Sequence, residues 1–209
     1  MKINKRRLKK IEALPLAKGS HKSIEEGMCI MEMVAYVANE PWSDHPQCAC
    51  PVLTRYAISI NDHFNDEHRQ LLKPLIMKLV GTRSTDEVQI ARKCLMMWRN
   101  VTVTFPLILD YLTLSKHAEV LRKFKNTAED MAKAAKYLTK HGAKMDADAN
   151  ANANANVYAY ADAYAYAYAY AYAYALRQSI AEAAVETLQM AIELTPTAAR
   201  RKDEHRQDD

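Results

Sequence analysis

Residues that could carry out chemistry are concentrated in one short stretch of the chain, between residues 40 and 51. The stretch reads EPWSDHPQCACP. Its three prolines restrict the backbone, and stiff loops that bear Trp, Asp and His often supply binding groups. Turn formation alone also explains Ser, Asp and Pro at such positions, with Trp42 filling the core. The sequence leaves both interpretations open.

A ligand site is predicted where this loop meets the basic segment that follows residue 65. Trp supplies a flat stacking surface, and Arg is well suited to anionic groups. Glu32 is the only charged residue in an apolar helix, so we expect it to have a partner or to face solvent. The residues predicted to bind a small anionic ligand or a partner protein are Glu32, Trp42, Asp44, His45, Arg69, Lys73 and Arg83.

Two other kinds of site use the same loop. A thiol or acid–base enzyme would use Asp44, His45 and Cys48 as orienting carboxylate, base and nucleophile. A zinc site would use His45, Cys48, Cys50 and Cys29, but the spacing is not that of paired Cys-x-x-Cys knuckles. No glycine-rich phosphate loop or nucleophile elbow is present in the sequence. We therefore predict a non-enzymatic protein that needs no metal and no cofactor.

The composition limits the classes of partner. The net charge is a mild +4, and the opening KINKRRLKK is strongly basic. Such an arm can bind phosphate backbones, but we predict a disordered solubilising terminus and no nucleic-acid binding. No signal peptide or membrane span is expected, and the four cysteines are typical of a cytoplasmic protein with reduced thiols.

Helix caps recur along the chain and predict an all-α, multi-helix, bundle-like core from about Ser23 to Leu194. A capping box formed by Ser23 and Glu26 is predicted to start the first helix, which is buried from Met28 to Ala38. The segment from Val101 to Phe105 is predicted to be helical rather than a strand. Further helices are predicted from Pro51 to about Ile60, from Asn65 or Asp66 to Gly81, from Ser84 or Thr85, from Ser115, and from Thr127 to Gly142.

Ala occupies nearly every second position from Ala147 to Ala175. The alternating Asp, Asn and Tyr residues are consistent with an expanded six-base repeat in the gene. Alternation is typical of a strand, whereas Ala is the best helix former. We predict helix from Tyr158 onward, an irregular Asn-rich half, and self-association through the tyrosine rings. A further helix is predicted from Ala175 to Leu194, ending before Pro196.

These patterns divide the chain into five regions. They are a basic arm at 1–22, a helical core at 23–142 with the candidate loop at 40–51, the Ala-rich tract at 143–175, a helix packing on the core at 176–195, and a charged tail at 196–209.

Two runs, EEGMCIMEMVAYVANEPWSDHPQCACPVL and NDHFNDEHRQLLKPLIMKLVGTR, resemble an uncharacterised family of actinobacterial and bacteriophage proteins. The resemblance covers about Leu14 to Arg83. It implies an Ala-rich helical tract after the head and no reaction. Relatives usually have Gly-Glu where this chain has Asn39 and Glu40. They usually have a single Cys where this chain has Cys48 and Cys50, so Cys50 is a feature of this chain rather than of the family. The resemblance implies a protein acting inside a bacterial host, on a host partner or by sequestering an anionic nucleotide signal.

Overall fold

The computed structural model describes residues 3–159 and 163–195, with side chains described at 3–145 and 175–195. Every regular element among these residues is a helix, so the predicted all-α class is confirmed. The chain divides into two compact units, which are described separately. The first unit comprises Met1–Cys94 with Ala184–Asp209, and the second comprises Leu95–Ala183.

The first unit is built around one buried helix, α2. It packs against α1, α3 and α5, and none of its residues from 30 to 35 is more than 1% exposed. The central burial predicted for this segment is confirmed. The elements of this unit are α1 (Lys5–Glu12), α2 (Ile30–Val37), α3 (Pro51–His63), α4 (Asp66–Gln70), a 3-10 turn (Lys73–Leu75), α5 (Ile76–Leu79), most of α6 (Asp86–Arg99) and the end of α10 (Ala163–Glu193).

The start of α2 differs from the sequence prediction. The capping box is formed by Cys29 and Glu32, because the Cys29 thiol accepts the Glu32 amide at 3.5 Å and the Glu32 carboxylate accepts the Cys29 amide at 2.7 Å. The box predicted at Ser23 and Glu26 is therefore wrong. Gly27 lies between the predicted and the observed capping boxes. Its φ of 126° is outside the helical region, so no helix can run through this point.

The basic N-terminal segment is ordered as α1, in contrast to the predicted disorder. Asn4 caps the helix by accepting the amides of Arg6 and Arg7. Ile11 is buried, and the Arg7 guanidinium lies 4.7 Å from the Tyr36 ring centroid while donating to the Tyr36 carbonyl. The apolar side of α1 and this cation–π contact hold the segment on α2.

Helix α3 continues three residues past its predicted end at about Ile60. The Asn61 side chain is fully buried, accepts from the Ile30 amide at 3.3 Å and donates to the Ala17 carbonyl at 2.9 Å. Asn disfavours helices because its amide competes for backbone groups. Here the amide is satisfied by residues distant in sequence, so the helix continues to His63.

The next predicted helix is divided into α4, the 3-10 turn and α5. Asn65 caps α4 by accepting the His68 amide at 2.8 Å, which confirms the predicted start. Pro74 lies in the 3-10 turn, where its missing N–H interrupts the helical ladder. Gly81 follows α5 with a φ of 77°, as expected of a residue that closes a helix.

The second unit has its own apolar core. Leu109, Leu114, Ala118, Leu121 and Met145 are buried together, with half-buried aromatic and aliphatic side chains around them. The predicted helix start at Ser115 and the helical prediction for the segment after Val101 are confirmed. The elements are the end of α6, a π-helical turn (Asn100–Thr104), α7 (Phe105–Tyr111), α8 (Ser115–Arg122), α9 (Ala128–Ala159) and most of α10 (Ala163–Glu193).

Helix α9 extends beyond its predicted end at Gly142. A single glycine inside a helix costs only about 1 kcal/mol, and the alanines around it outweigh that cost. Residues 147–156, predicted to be irregular, belong to α9, and residues 163–175 belong to α10. The predicted self-association depends on tyrosine side chains that lie outside the described residues. Pro196 and the charged tail also lie outside them.

Candidate functional site

The candidate loop is closed by one carboxylate that the sequence did not single out. Glu40 accepts hydrogen bonds from the backbone amides of Gln47 at 2.6 Å and Cys48 at 2.8 Å. Its own amide donates to the Ala35 carbonyl at the end of α2. Asn39, with a φ of 61°, turns the chain from the helix into the loop. These contacts fix both ends of the loop on the buried helix.

Trp42 anchors the loop on the segment that precedes α2. Its indole N–H donates to the backbone carbonyl of His21 at 2.6 Å, and its side chain is half-buried. The indole is therefore held in one orientation, with only part of its ring face accessible. Trp42 therefore ties the loop to this segment, and its half-buried side chain also forms part of the loop surface.

Asp44 and His45 form a pair at the surface of the loop. Their side chains lie 2.7 Å apart, from Nδ1 of His45 to Oδ1 of Asp44, and the His45 amide donates to the Ser43 hydroxyl. The exposed fractions are 62% for the imidazole and 33% for the carboxylate. Donation from Nδ1 to the carboxylate leaves Nε2 as an acceptor, which is the arrangement of a base with an orienting carboxylate.

Of the predicted site residues Arg69, Lys73 and Arg83, Arg83 is the one that donates hydrogen bonds to the loop in the described part of the chain. Its amide donates to the Cys48 carbonyl at 3.0 Å, and its guanidinium donates to the backbone and side-chain oxygens of Gln47, each at 3.3 Å. Both guanidinium acceptors are neutral, so these contacts do not neutralise the charge of Arg83. An exposed cation is thereby placed beside the loop that carries Asp44 and His45.

Glu32 is buried in α2 and is already surrounded by hydrogen-bond donors. Its carboxylate accepts from the His21 amide at 2.6 Å, from His21 Nδ1 at 2.9 Å and from the Cys29 amide at 2.7 Å. The side chain is only 1% exposed. The partner that the sequence required for this buried carboxylate is therefore His21, whose carbonyl also receives the Trp42 indole.

Arg69 and Lys73 make their hydrogen bonds away from the loop. Arg69 is buried and closes the end of α3, donating to the carbonyls of Asn61 and Phe64 and to the Asp66 carboxylate. Lys73 donates to the Glu12 carbonyl at 3.3 Å. It also lines an apolar cavity of about 250 Å³ between α1 and α5, together with Leu8, Ile11, Glu12, Pro74, Ile76 and Met77.

The thiols of the loop are placed in the interior. Cys29, Cys48 and Cys50 are buried, whereas Cys94 on α6 is exposed. Burial raises the pKa of the Cys29 thiol to about 12 and also raises the pKa of Cys48. A thiol with a raised pKa is a weak nucleophile and a weak metal ligand at neutral pH. Within the described residues, no three or more His, Cys, Asp or Glu side chains are grouped so that they could hold a metal ion.

Comparison with protein-family models, with curated proteins and with solved structures gave no match to this chain. In the part of the chain that the structure describes, no helix combines the length and the apolar character needed to cross a membrane.

Proposed function

We propose that this chain is a non-enzymatic binding protein and that its contact surface is formed by Asp44, His45, Gln47 and Arg83. The observation that carries the proposal is the way the loop is held. Glu40, Trp42 and the Arg83 backbone fasten it at separate points, so its polar side chains are presented by an ordered backbone. A site ordered before binding loses less conformational entropy when the target arrives.

The charges on this surface favour a target with an anionic group. Arg83 keeps its charge and has donors left for a phosphate or carboxylate. Beside Arg83, the exposed His45 ring and the Asp44 carboxylate supply hydrogen-bonding groups for a hydroxyl or amine of the same target. The resemblance to phage proteins is compatible with an anionic nucleotide signal that the protein sequesters, or with a host protein that it blocks, as part of an anti-defence role.

A ligand-release experiment tests the proposal. The protein is incubated with a panel of nucleotide second messengers, washed and heat-denatured, and the released compounds are identified. We expect intact ligand in proportion to the protein, and about tenfold or greater loss of retention in Arg83→Gln, because a charge-assisted hydrogen bond is worth roughly 1.5–3 kcal/mol. Arg55→Gln is the matched control, since Arg55 is an exposed arginine on α3, one helical turn beyond the end of the loop at Pro51.

If no nucleotide is retained, the same pair of variants is used to capture protein partners from a bacterial lysate. Capture that is lost in Arg83→Gln and kept in Arg55→Gln supports the loop surface as a protein-binding site. Equal results for the two variants in both experiments would contradict a binding role for this surface.

The second candidate function is an enzyme, and the 2.7 Å contact between Asp44 and His45 is the observation that favours it. Its nucleophile would be Cys48, which is buried and has a raised pKa. Thiol labelling under native conditions separates the two functions. We expect only Cys94 to react rapidly, and the rapid phase to disappear in Cys94→Ser. Rapid labelling of Cys48, or a chemically altered nucleotide in the release experiment, would favour the enzyme.

A further inference from the structure

Three ring side chains, those of His117, Tyr137 and His141, meet in the second unit. His117 lies near the start of α8, while Tyr137 and His141 lie one turn apart on α9. All three are half-buried, so water can reach them. The ring centroids are 5.8 Å apart for His117 and Tyr137, 5.6 Å for His117 and His141, and 4.5 Å for Tyr137 and His141.

The distances within this cluster suit ligands of a single ion. His117 Nδ1 and the Tyr137 hydroxyl oxygen lie 2.6 Å apart. Two imidazoles bound to one ion through bonds of about 2.0–2.1 Å place their ring centroids roughly 4.5–5.5 Å apart. The observed 5.6 Å between the two imidazoles is within a few tenths of an ångström of that range. Small side-chain rotations would therefore bring both rings onto a shared ion.

We propose that His117, Tyr137 and His141 form a binding site for a divalent transition-metal ion. Two imidazoles and one phenolate are the protein ligands, and water fills the remaining positions. Binding of the phenol oxygen releases its proton to solvent, and no other bond changes. Imidazole suits Zn²⁺, Ni²⁺ and Cu²⁺, and Cu²⁺ is bound most tightly of the divalent first-row ions. The bound ion would cross-link α8 to α9.

The ligand types define what this site can bind. The cluster offers two imidazole nitrogens and one phenolate oxygen. Hard cations such as Mg²⁺ and Ca²⁺ need several carboxylate or carbonyl oxygens, which these three side chains do not supply. Nitrogen ligands favour the later first-row transition metals. We therefore expect selectivity for Cu²⁺, Ni²⁺ and Zn²⁺ over Mg²⁺ and Ca²⁺.

Copper titration of the full-length protein tests the site. The exposed Cys94 is first replaced by Ser to remove the accessible thiol, and circular dichroism checks that each metal-free variant is folded. We expect one tightly bound Cu²⁺ per chain, a phenolate-to-copper charge-transfer band in the visible spectrum, and a higher unfolding temperature with the metal. Zn²⁺ should raise the unfolding temperature without a visible band.

Variants of the three rings and one histidine control decide the assignment. Tyr137→Phe keeps the ring packing and should abolish the charge-transfer band. His141→Ala should weaken copper binding by more than about tenfold, since even loss of a second-shell partner costs roughly 10–100-fold. His63→Ala is the control, because His63 is an exposed histidine whose Nδ1 is engaged by the Ser59 carbonyl. Equal copper affinity in His141→Ala and His63→Ala, or a band that survives in Tyr137→Phe, would overturn the proposal.

Discussion

Glu32 shows at the level of a single residue how a charge is accommodated in an apolar helix. A buried carboxylate is costly unless hydrogen-bond donors replace the water that it loses. Three N–H groups do so here, two from His21 and one from Cys29. The same carboxylate caps α2 and fixes His21, whose carbonyl holds Trp42. The position of the candidate loop therefore depends on one buried side chain.

Replacement of Glu32 by Gln is expected to destabilise the protein by about 2–4 kcal/mol. The amide turns its own N–H group towards a donor that the carboxylate accepted, and the hydrogen bonds that remain are no longer charge-assisted. Urea unfolding followed by circular dichroism measures the effect. Glu12→Gln, an exposed Glu-to-Gln change on α1, should alter the free energy of unfolding by no more than about 0.5 kcal/mol. Equal midpoints for the two variants would contradict the structural role of Glu32.

At the level of elements, the end of α10 is closed by a buried arginine from α6. Arg92 is only 4% exposed. Its guanidinium donates to the Ala191 carbonyl at 2.9 Å, the Thr82 carbonyl at 2.7 Å and the Leu194 carbonyl at 3.1 Å. The last carbonyls of a helix have no partner within the helix, and a cation suits the negative end of its dipole. Arg92 meets both requirements.

Replacement of Arg92 by Met is expected to destabilise the first unit by about 3 kcal/mol, because several buried carbonyls lose a charged donor. The free energy of unfolding in urea provides the measurement. Lys93→Met is the matched control, since Lys93 is the exposed neighbour on the same helix. A loss of stability in Lys93→Met as large as that in Arg92→Met would show that helix propensity or surface charge, rather than the cap, is responsible.

On the scale of the whole molecule, the Ala-rich tract divides between the ends of two long helices. Residues 147–159 extend α9 and residues 163–175 begin α10. A repeat that arises by slippage in the gene varies in length, and small polar residues contribute little buried apolar surface. The fold should therefore depend weakly on the number of repeats.

Deletion of residues 147–150 is expected to leave a cooperative unfolding transition, with a change in stability below about 1 kcal/mol. Four residues are close to one helical turn, so the faces of α9 stay nearly in register. Thermal unfolding followed by circular dichroism tests this expectation. Deletion of residues 132–135 from the same helix removes the buried Ala134 and should destabilise the protein strongly. Loss of cooperativity in the first deletion would refute the weak dependence on repeat number.

The sequence by itself determined the all-α class, the burial of α2 and several helix starts. Asn65 and Ser115 stand at or next to the starts of α4 and α8, and Pro51 begins α3. These features are set by local interactions, since a cap or an apolar helix needs only residues within one or two turns. The first buried helix is capped by Cys29 and not by the predicted Ser23, because the backbone of Gly27 adopts a non-helical conformation between the two positions.

Only the tertiary structure decided which polar residues meet. Arg69 was grouped with the candidate ligand site but is engaged at the end of α3, while Arg83 lies beside the loop. Glu40 and His21, which position the loop, were not recognised because their partners lie seven or more residues away. Hydrogen bonds between distant segments follow no fixed spacing, so they are determined by how the helices pack rather than by a pattern in the sequence.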